Sequence, residues 1–400
     1  MKKIMLNSPV CAVIIAAAMA SCSGRDSVKV VVSNPVSFAR EGEMVELDAQ
    51  PLLEKLGTGY LCVTDSAGEE IPSQITYDGK LIFRASVSPG AQTAYFVSPS
   101  DTLHIYDSVA TGRIYPERAD DIAWENEFVG YRIYGPTTQA KGEKAFGYDI
   151  FFKHPTPELV LEKLYAPETD PATWAKVDSL RAINPSLAEE YIKSFSYHID
   201  HGLGMDCYAV GPTLGAGVAA LMANDSIRYQ WCYRDAEVLD NGPLRFTVRL
   251  DFAPMSVGAD SAVTEHRVIS LDAGSHLNRC MVTYDGLGGE REVVAGFPRR
   301  DDSEAVVDYE EGILAYADPT QGDDNGKALL GLLLDKGAVS ADEREGHILL
   351  HTVIAPQDTL SYRWGFAWDW ADINSMQEWN AYLRTLKQTV STPLEVEVAD

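Results

Sequence analysis

The chain is short of positive charge: 33 lysines and arginines stand against 59 aspartates and glutamates in 400 residues, a net charge of −26. A phosphodiester polyanion would be repelled at long range, so nucleic acid is not an expected partner, although a local basic pocket can still hold a single carboxylate. Cysteine is equally sparse, six in all and none in a CxxC pair, which disfavours zinc-thiolate chemistry. No strand runs into GxGxxG, and there is no P-loop, GxSxG or CxxCH, so the dinucleotide, nucleotide, serine-hydrolase and c-haem readings each lose their main support. No repeat recurs at a propeller or solenoid period.

Long apolar runs are missing as well, apart from one near the start. Lys2 and Lys3 form a basic n-region, Val10 to Ala20 an apolar stretch too short for a comfortable membrane span, and Met19-Ala20-Ser21-Cys22 closes it in small residues. This pattern predicts a lipoprotein leader over 1–21, acylation at Cys22 and a polar tether over 22–27, hence a lipid-anchored protein of the periplasm or cell surface. Removing Lys2 and Lys3 leaves 31 basic against 59 acidic side chains, a net −28. Outside the cytoplasm a disulfide is allowed, with Cys207 and Cys232 the candidate pair, and buried thiols at Cys62, Cys207, Cys232 and Cys280 are the alternative.

What remains is rich in short β-type runs. Val28 to Ser33, Glu43 to Leu47, Tyr60 to Thr64, Leu81 to Ala85 and Thr93 to Val97, separated by Asp78-Gly79 and Pro89-Gly90 turns, predict a small N-terminal β-sandwich over 28–100. About ten longer strand-like runs follow, from Gly130 to Val353, and predict a large two-sheet β-sandwich over 115–400. Helix is expected in an insertion near 155–195 and at Ser375 to Lys387, where Ser375 caps and Trp379, Tyr382, Leu383 and Leu386 form the buried face. The fold class is therefore mostly β.

Four clusters carry chemistry. In Trp124 to Pro136, residues Phe128 to Tyr134 read as a strand, so Arg132 and Tyr134 share a face and offer a carboxylate fork beside a sugar-stacking ring. The competing reading is an ion pair of Arg132 with Glu125 or Asp149. In Gly147 to His154, Asp149 and Lys153 share parity and either can reach a substrate. In the segment YHIDHGLGMDCYAVGPTLGAG (197–217), His198, His201, Asp206 and Tyr208 combine titratable side chains with permissive glycines. Metal ligation by His198, His201 and Asp206 is the weaker reading, because Gly202 and Gly204 break any helix that would align the histidines. Proton transfer is preferred, with His201 first, His198 second, and Asp200 or Asp206 fixing the tautomer. In the fourth cluster Asp240-Asn-Gly marks a hairpin, Arg245 supplies a second guanidinium, and Glu265 or His266 a second titratable group.

Taken together, WENEFVGYRIYGP, GYDIFFK, the 197–217 segment, DNGPLRF and LDAGSHLN resemble the domain of unknown function 4861 family over most of the chain. The resemblance implies a bacterial lipoprotein of polysaccharide-utilisation clusters, near pectin- and uronate-degrading enzymes, with a sandwich similar to galactose mutarotase and several polysaccharide lyases. It marks Glu125, Asn126, Arg132, Tyr134, Asp149, Lys153, His198, His201, Asp206 and Tyr208 as motif positions without assigning roles. A mutarotase-like fold implies a histidine facing a carboxylate, for which His201 and one of Glu125, Asp149, Asp206 or Glu265 are the candidates.

The leading expectation is β-elimination on uronic-acid-containing oligosaccharides. Arg132, joined by Lys153 or Arg245, neutralises the sugar carboxylate, and His201 or Tyr208 removes the C5 proton. Glu125, Asn126, Tyr134 and Asp149 complete the binding surface. The alternatives are a glycoside hydrolase using two carboxylates, a non-catalytic glycan-binding lipoprotein, and a mutarotase. No cofactor is expected, except that calcium is admitted as an aid to carboxylate binding.

Overall fold

The computed structural model describes residues 27–322 and 324–399. The leader, Cys22 and most of the tether lie outside the described residues. Strand accounts for 44% of the chain and helix for 17%, so the mostly-β expectation holds.

Near the N-terminus, alternating valines make Val28–Ser33 a strand with one buried face, Val28, Val30 and Val32 pointing inward. It pairs with Gln92–Ser100, which pairs in turn with Tyr60–Thr64 and then Glu70–Ile71. A three-stranded sheet of Arg40–Asp48, Lys80–Val87 and Ser73–Ile75 shares the same apolar core through Val45, Leu81, Phe83 and Val97. The short strands Glu70–Ile71 and Ser73–Ile75 were not anticipated, nor were two further elements. A helix, Ala49–Leu56, sits inside this sandwich, and the far end of the chain returns as Glu395–Val398 to pair with the first strand, Val30 opposite Val398.

The larger part stacks two antiparallel sheets. Eight strands run in the order Asp235–Asn241, Arg245–Asp251, Asp260–Asp272, Leu277–Asp285, Leu360–Trp368, Ala328–Leu334, Ile313–Asp318 and Ala305–Asp308. Five more run Ser226–Arg228, Ala219–Ala223, Arg291–Pro298, His347–Ile354 and Ser340–Arg344. Between them lies one apolar core that includes Phe246, Val282, Leu332 and Trp364 from the first sheet and Leu221, Val293 and Leu349 from the second. Ile313–Asp318 and Ala328–Leu334 are buried along their whole length because the outer face is covered too, by the helix Met376–Ser391. Ser375 caps that helix, accepting from the Glu378 amide at 3.3 Å, and Trp379 and Leu383 pack inward as the spacing predicts.

A third, smaller sheet positions the site. Its order is Gly204–Met205, Asp149–Lys153, Gly130–Ile133, Asp121–Glu125 and Thr111–Tyr115. The helices expected in one insertion are Leu161–Thr169, Pro171–Ile183 and Pro185–Lys193, starting somewhat later than the sequence suggests. Pro171 and Pro185 each open a helix whose preceding residue, Asp170 or Asn184, caps it.

Candidate functional site

Register divides the small sheet into two chemically opposite faces. Tyr131 stands opposite Trp124 and Ile150, and these side chains enter the main core. Arg132 stands opposite Ala123 and Asp149, so Asp121, Glu125, Arg132, Asp149 and Lys153 share the other face, beneath Leu161, Leu164 and Tyr165 of the first inserted helix.

At one end that polar face is closed. Lys153 Nζ lies 2.8 Å from Glu125 Oε2 and donates to the Asn126 carbonyl at 2.6 Å, while Glu125 also accepts from the Val160 and Leu161 amides at the start of the helix. Both side chains are buried and every charge is met. The carboxylate here serves a helix N-terminus, where it is favoured by the amides and the helix dipole. Asn126 is a local staple, donating to the Asp272 and Ser275 carbonyls at 2.7 Å and accepting from the Phe128 and Val129 amides. Glu125, Asn126 and Lys153, expected to bind substrate, therefore hold the fold.

The other end opens into a pocket of about 570 Å³ lined by Arg118, Tyr134, Glu168, His198, Asp206 and Tyr208, among others. Arg132 donates from Nε to Asp149 at 2.7 Å, and its Nη2 meets Asp149, Asp206 at 3.0 Å and the Tyr134 hydroxyl at 3.0 Å. The ion pair with Asp149 weighed from the sequence is thus the one formed, and Arg132 has no fork left for a sugar carboxylate. Burial pushes Asp149 up to about 6, Arg132 opposes the rise, and the Asp206 charge adds to it.

The 197–217 segment wraps the pocket, but two of its glycines serve the backbone. A Cβ at Gly204 (φ +120°) would collide with the Phe152 carbonyl, and one at Gly215 (φ +57°) with the Tyr148 carbonyl, so these glycines allow close approach to the neighbouring strand. His201 is exposed, lies outside the pocket lining and makes no side-chain hydrogen bond among the described residues. His198, the second choice from the sequence, lines the pocket instead and is likewise exposed. Its Nδ1 is 2.9 Å from the Asp206 carbonyl oxygen, which can only accept, so Nδ1 carries the proton and Nε2 of the neutral ring keeps its lone pair. Tyr208 lines the same pocket with its hydroxyl buried near the Arg300 guanidinium, which lies 5.2 Å from its ring centre, and burial raises its pKa well above the usual phenol value.

Arg245 lies elsewhere, in a second cavity between the N-terminal sandwich and the large sheet. There it grips Asp272 at 2.5 and 2.8 Å and Glu46 at 2.7 Å. Glu265 pairs with Arg267 inside the main core, and His266 with Asp251 at 2.6 Å on a strand surface. Cys207 and Cys232 are buried thiols, raised by burial to about 12 and about 11, and form no disulfide. Among the described residues no three His, Cys, Asp or Glu side chains gather as metal ligands.

The residue that sequence reasoning missed is Arg118. It donates to the Tyr197 hydroxyl at 2.9 Å and lies 3.9 Å from the Tyr165 ring centre and 4.8 Å from that of Tyr197. Among the described residues its Nε is buried without a partner and no acid reaches ion-pair distance, although its charge acts on the Glu168 and Asp121 carboxyls. The two residues after it, Ala119 and Asp120, both hold left-handed backbone without being glycine (φ 59° and 61°), a strain that costs about 1–3 kcal/mol each. Nothing around Pro116-Glu-Arg118 in the sequence signals either feature.

A family model described as Domain of unknown function (DUF4861) matches residues 32–396. The chain belongs to this family. A relative matched along nearly its whole length is an uncharacterized protein, P7, of Formosa agariphila, 25% identical over 408 residues that cover 94% of this DUF4861 chain and 95% of that one. Among solved structures, a protein in glycosyl hydrolase family 38 and an α-mannosidase, both from Enterococcus faecalis, superpose with TM-scores of 0.53 and 0.52 at 9% identity. Each alignment covers 95% of this DUF4861 chain, which spans about half the length of those structures (48% and 47%). At that identity the likeness is one of fold.

Proposed function

We propose that the protein is a carbohydrate-active enzyme that cleaves uronic-acid-containing oligosaccharides by β-elimination. One observation carries the reading: a single pocket holds an arginine with no acid at ion-pair distance and a histidine whose outer nitrogen is kept as a proton acceptor. Arg118 neutralises the uronate carboxylate, which acidifies the C5 proton. His198 Nε2 takes that proton, the C5–H electron pair forms the C4=C5 double bond, and the C4–O bond breaks. Tyr208 protonates the departing oxygen, a role suited to a phenol that burial keeps in its neutral form. The proton on His198 then returns to Tyr208 through solvent, and no water is consumed. Lys141, exposed at the pocket rim, adds positive charge.

A fold shared with two proteins named as a glycosyl hydrolase and an α-mannosidase supports a carbohydrate as the ligand class. The leader pattern ending in Cys22 supports a lipid-anchored enzyme of the periplasm or cell surface. Hydrolysis has one specific observation in its favour. Glu168 and Asp121 line the pocket with their carboxyl pKa values raised by burial, as a general acid requires. Against it, Asp149 and Asp206 converge on one guanidinium, where they cannot flank a sugar ring, and Glu125 and Glu265 are committed elsewhere.

The test is to incubate the purified protein with pectic, alginate and glycosaminoglycan oligosaccharides and weigh the products. Elimination gives fragments whose masses sum to that of the substrate, one of them an unsaturated uronate that absorbs in the ultraviolet. Fragments that together carry an added water would overturn the lyase reading in favour of hydrolysis, and no product from any of these substrates would overturn both. Arg118→Gln is expected to weaken uronate binding by about 10- to 100-fold, the range for a lost hydrogen bond to a charged group.

A further inference from the structure

We infer that the cavity around Arg245 is a second binding site, for the carboxylate of a small ligand, anchored by Arg279. That a sugar carries this carboxylate rests on the function proposed above; the site itself does not.

The cavity, about 580 Å³, lies where residues 38–46 of the N-terminal sandwich, the outer face of the large sheet and the helix Met376–Ser391 meet. Its walls are fixed to one another. Gln74 accepts from the Leu244 and Arg245 amides at 3.0 and 2.9 Å, Arg40 donates to the Thr392 carbonyl at 3.0 Å, and the Tyr382 hydroxyl accepts from the His276 amide at 3.1 Å. The volume is usual for a small-molecule site, and rigid walls leave little to be ordered on binding.

The charges lining it do not all cancel. Arg40 pairs with Glu43, and Arg245 with Glu46 and Asp272. Arg279 is exposed, and among the described residues it makes no ion pair or hydrogen bond. Strand register sets it directly opposite Arg363, and both side chains leave the sheet away from the core, into which their neighbours Cys280 and Trp364 point. Like charges placed so repel each other. Arg363 is answered by Asp335 at Nη1 alone, and nothing among the described residues answers Arg279, so the pair carries one surplus positive charge. On the other side of Arg279 stands Ser270, whose Oγ accepts from the Thr247 hydroxyl at 3.2 Å and keeps its own proton to donate.

One surplus charge beside a hydroxyl donor matches one carboxylate, which a guanidinium holds by two parallel hydrogen bonds. A doubly charged phosphate is disfavoured, because Glu41, Glu43, Glu46 and Asp272 line the same cavity and the whole chain is acidic. Glu41, exposed on the facing wall, pairs with neither arginine. A uronic acid and a free organic acid both present the required group.

The test is calorimetric titration, up to millimolar ligand, of wild type, Arg118→Gln and Arg279→Gln with galacturonate, galactose and acetate. Galacturonate, a monosaccharide, offers no glycosidic bond to break. Wild type is expected to bind two galacturonates per chain. Arg118→Gln should weaken one event and Arg279→Gln the other, each by about 10- to 100-fold, the range for a lost hydrogen bond to a charged group. Because Arg279 is exposed, melting of Arg279→Gln without ligand should match wild type, which separates lost binding from unfolding. Acetate bound in the Arg279-dependent event as tightly as galacturonate would support the site and make a free acid its ligand. A single event that Arg118→Gln weakens and Arg279→Gln does not would overturn the second site and leave the pocket standing. A single event that only Arg279→Gln weakens would support the second site and count against the pocket. No binding of any ligand, or galactose bound there as tightly as galacturonate, would overturn the second site.

Discussion

The two ends of one small sheet face use the same chemistry to opposite ends. Glu125 and Lys153 are paired, capped by two helix amides and sealed beneath the inserted helix, so the cluster has no valence left for a ligand. Arg132, Asp149 and Asp206 set two carboxylates against one guanidinium beside a pocket, and burial holds the Asp149 carboxyl above its usual range. A buried charge is therefore not itself a sign of a site. What separates the two clusters is whether the accounts of charge and hydrogen bonding close within the protein.

Substitutions can break this contrast. The largest effect is expected at the closed end, where Lys153→Met strands a buried carboxylate and should lower unfolding stability by about 3–5 kcal/mol in denaturant titrations. Adding Glu125→Gln to that variant should recover part of the loss. If Lys153→Met unfolds like wild type, the closed cluster is not structural. At the pocket, His198→Gln should reduce turnover by about 10²- to 10⁴-fold with little change in melting temperature. His201→Ala should leave both unchanged, within about 0.5 kcal/mol in stability. Loss of activity in His201→Ala alone would exchange the two assignments.

The smallest effect is a pH dependence at the open end. Because Asp149 is raised from 3.8 to about 6 in the folded chain, the folded state binds its proton more tightly than the unfolded state does. The resulting stabilisation is fully present below 3.8 and is lost as pH rises through about 6. Melting curves of wild type and Asp149→Asn across that window should show wild type losing ground to the variant as pH rises. A difference independent of pH would mean that Asp149 is ionised throughout.

Much of the scaffold was legible, because a period of two is written directly in the side chains. It placed Arg132 with Tyr134 on one face and Asp149 with Lys153 on one face, as the register has them. Alternation cannot say what covers a face. Hence Glu125 and Lys153 looked as available as Arg132 until the helix Leu161–Thr169 was laid over them. The choice between His198 and His201 was equally hidden. The two rings are three residues apart in a glycine-interrupted segment, and only the Asp206 carbonyl, brought back by the turn, orients one of them. Arg118 went unseen because its partners, Tyr165 and Tyr197, lie 47 and 79 residues further along.

The pairing of Val28–Ser33 with Glu395–Val398 has a consequence for biogenesis. The first strand finds Gln92–Ser100 nearby in sequence, but its other edge stays open until the distant Glu395–Val398 is in place. Throughout that interval the nascent protein carries an unpaired β-edge that another strand can occupy. A chain clipped just before Glu395 would keep that edge open.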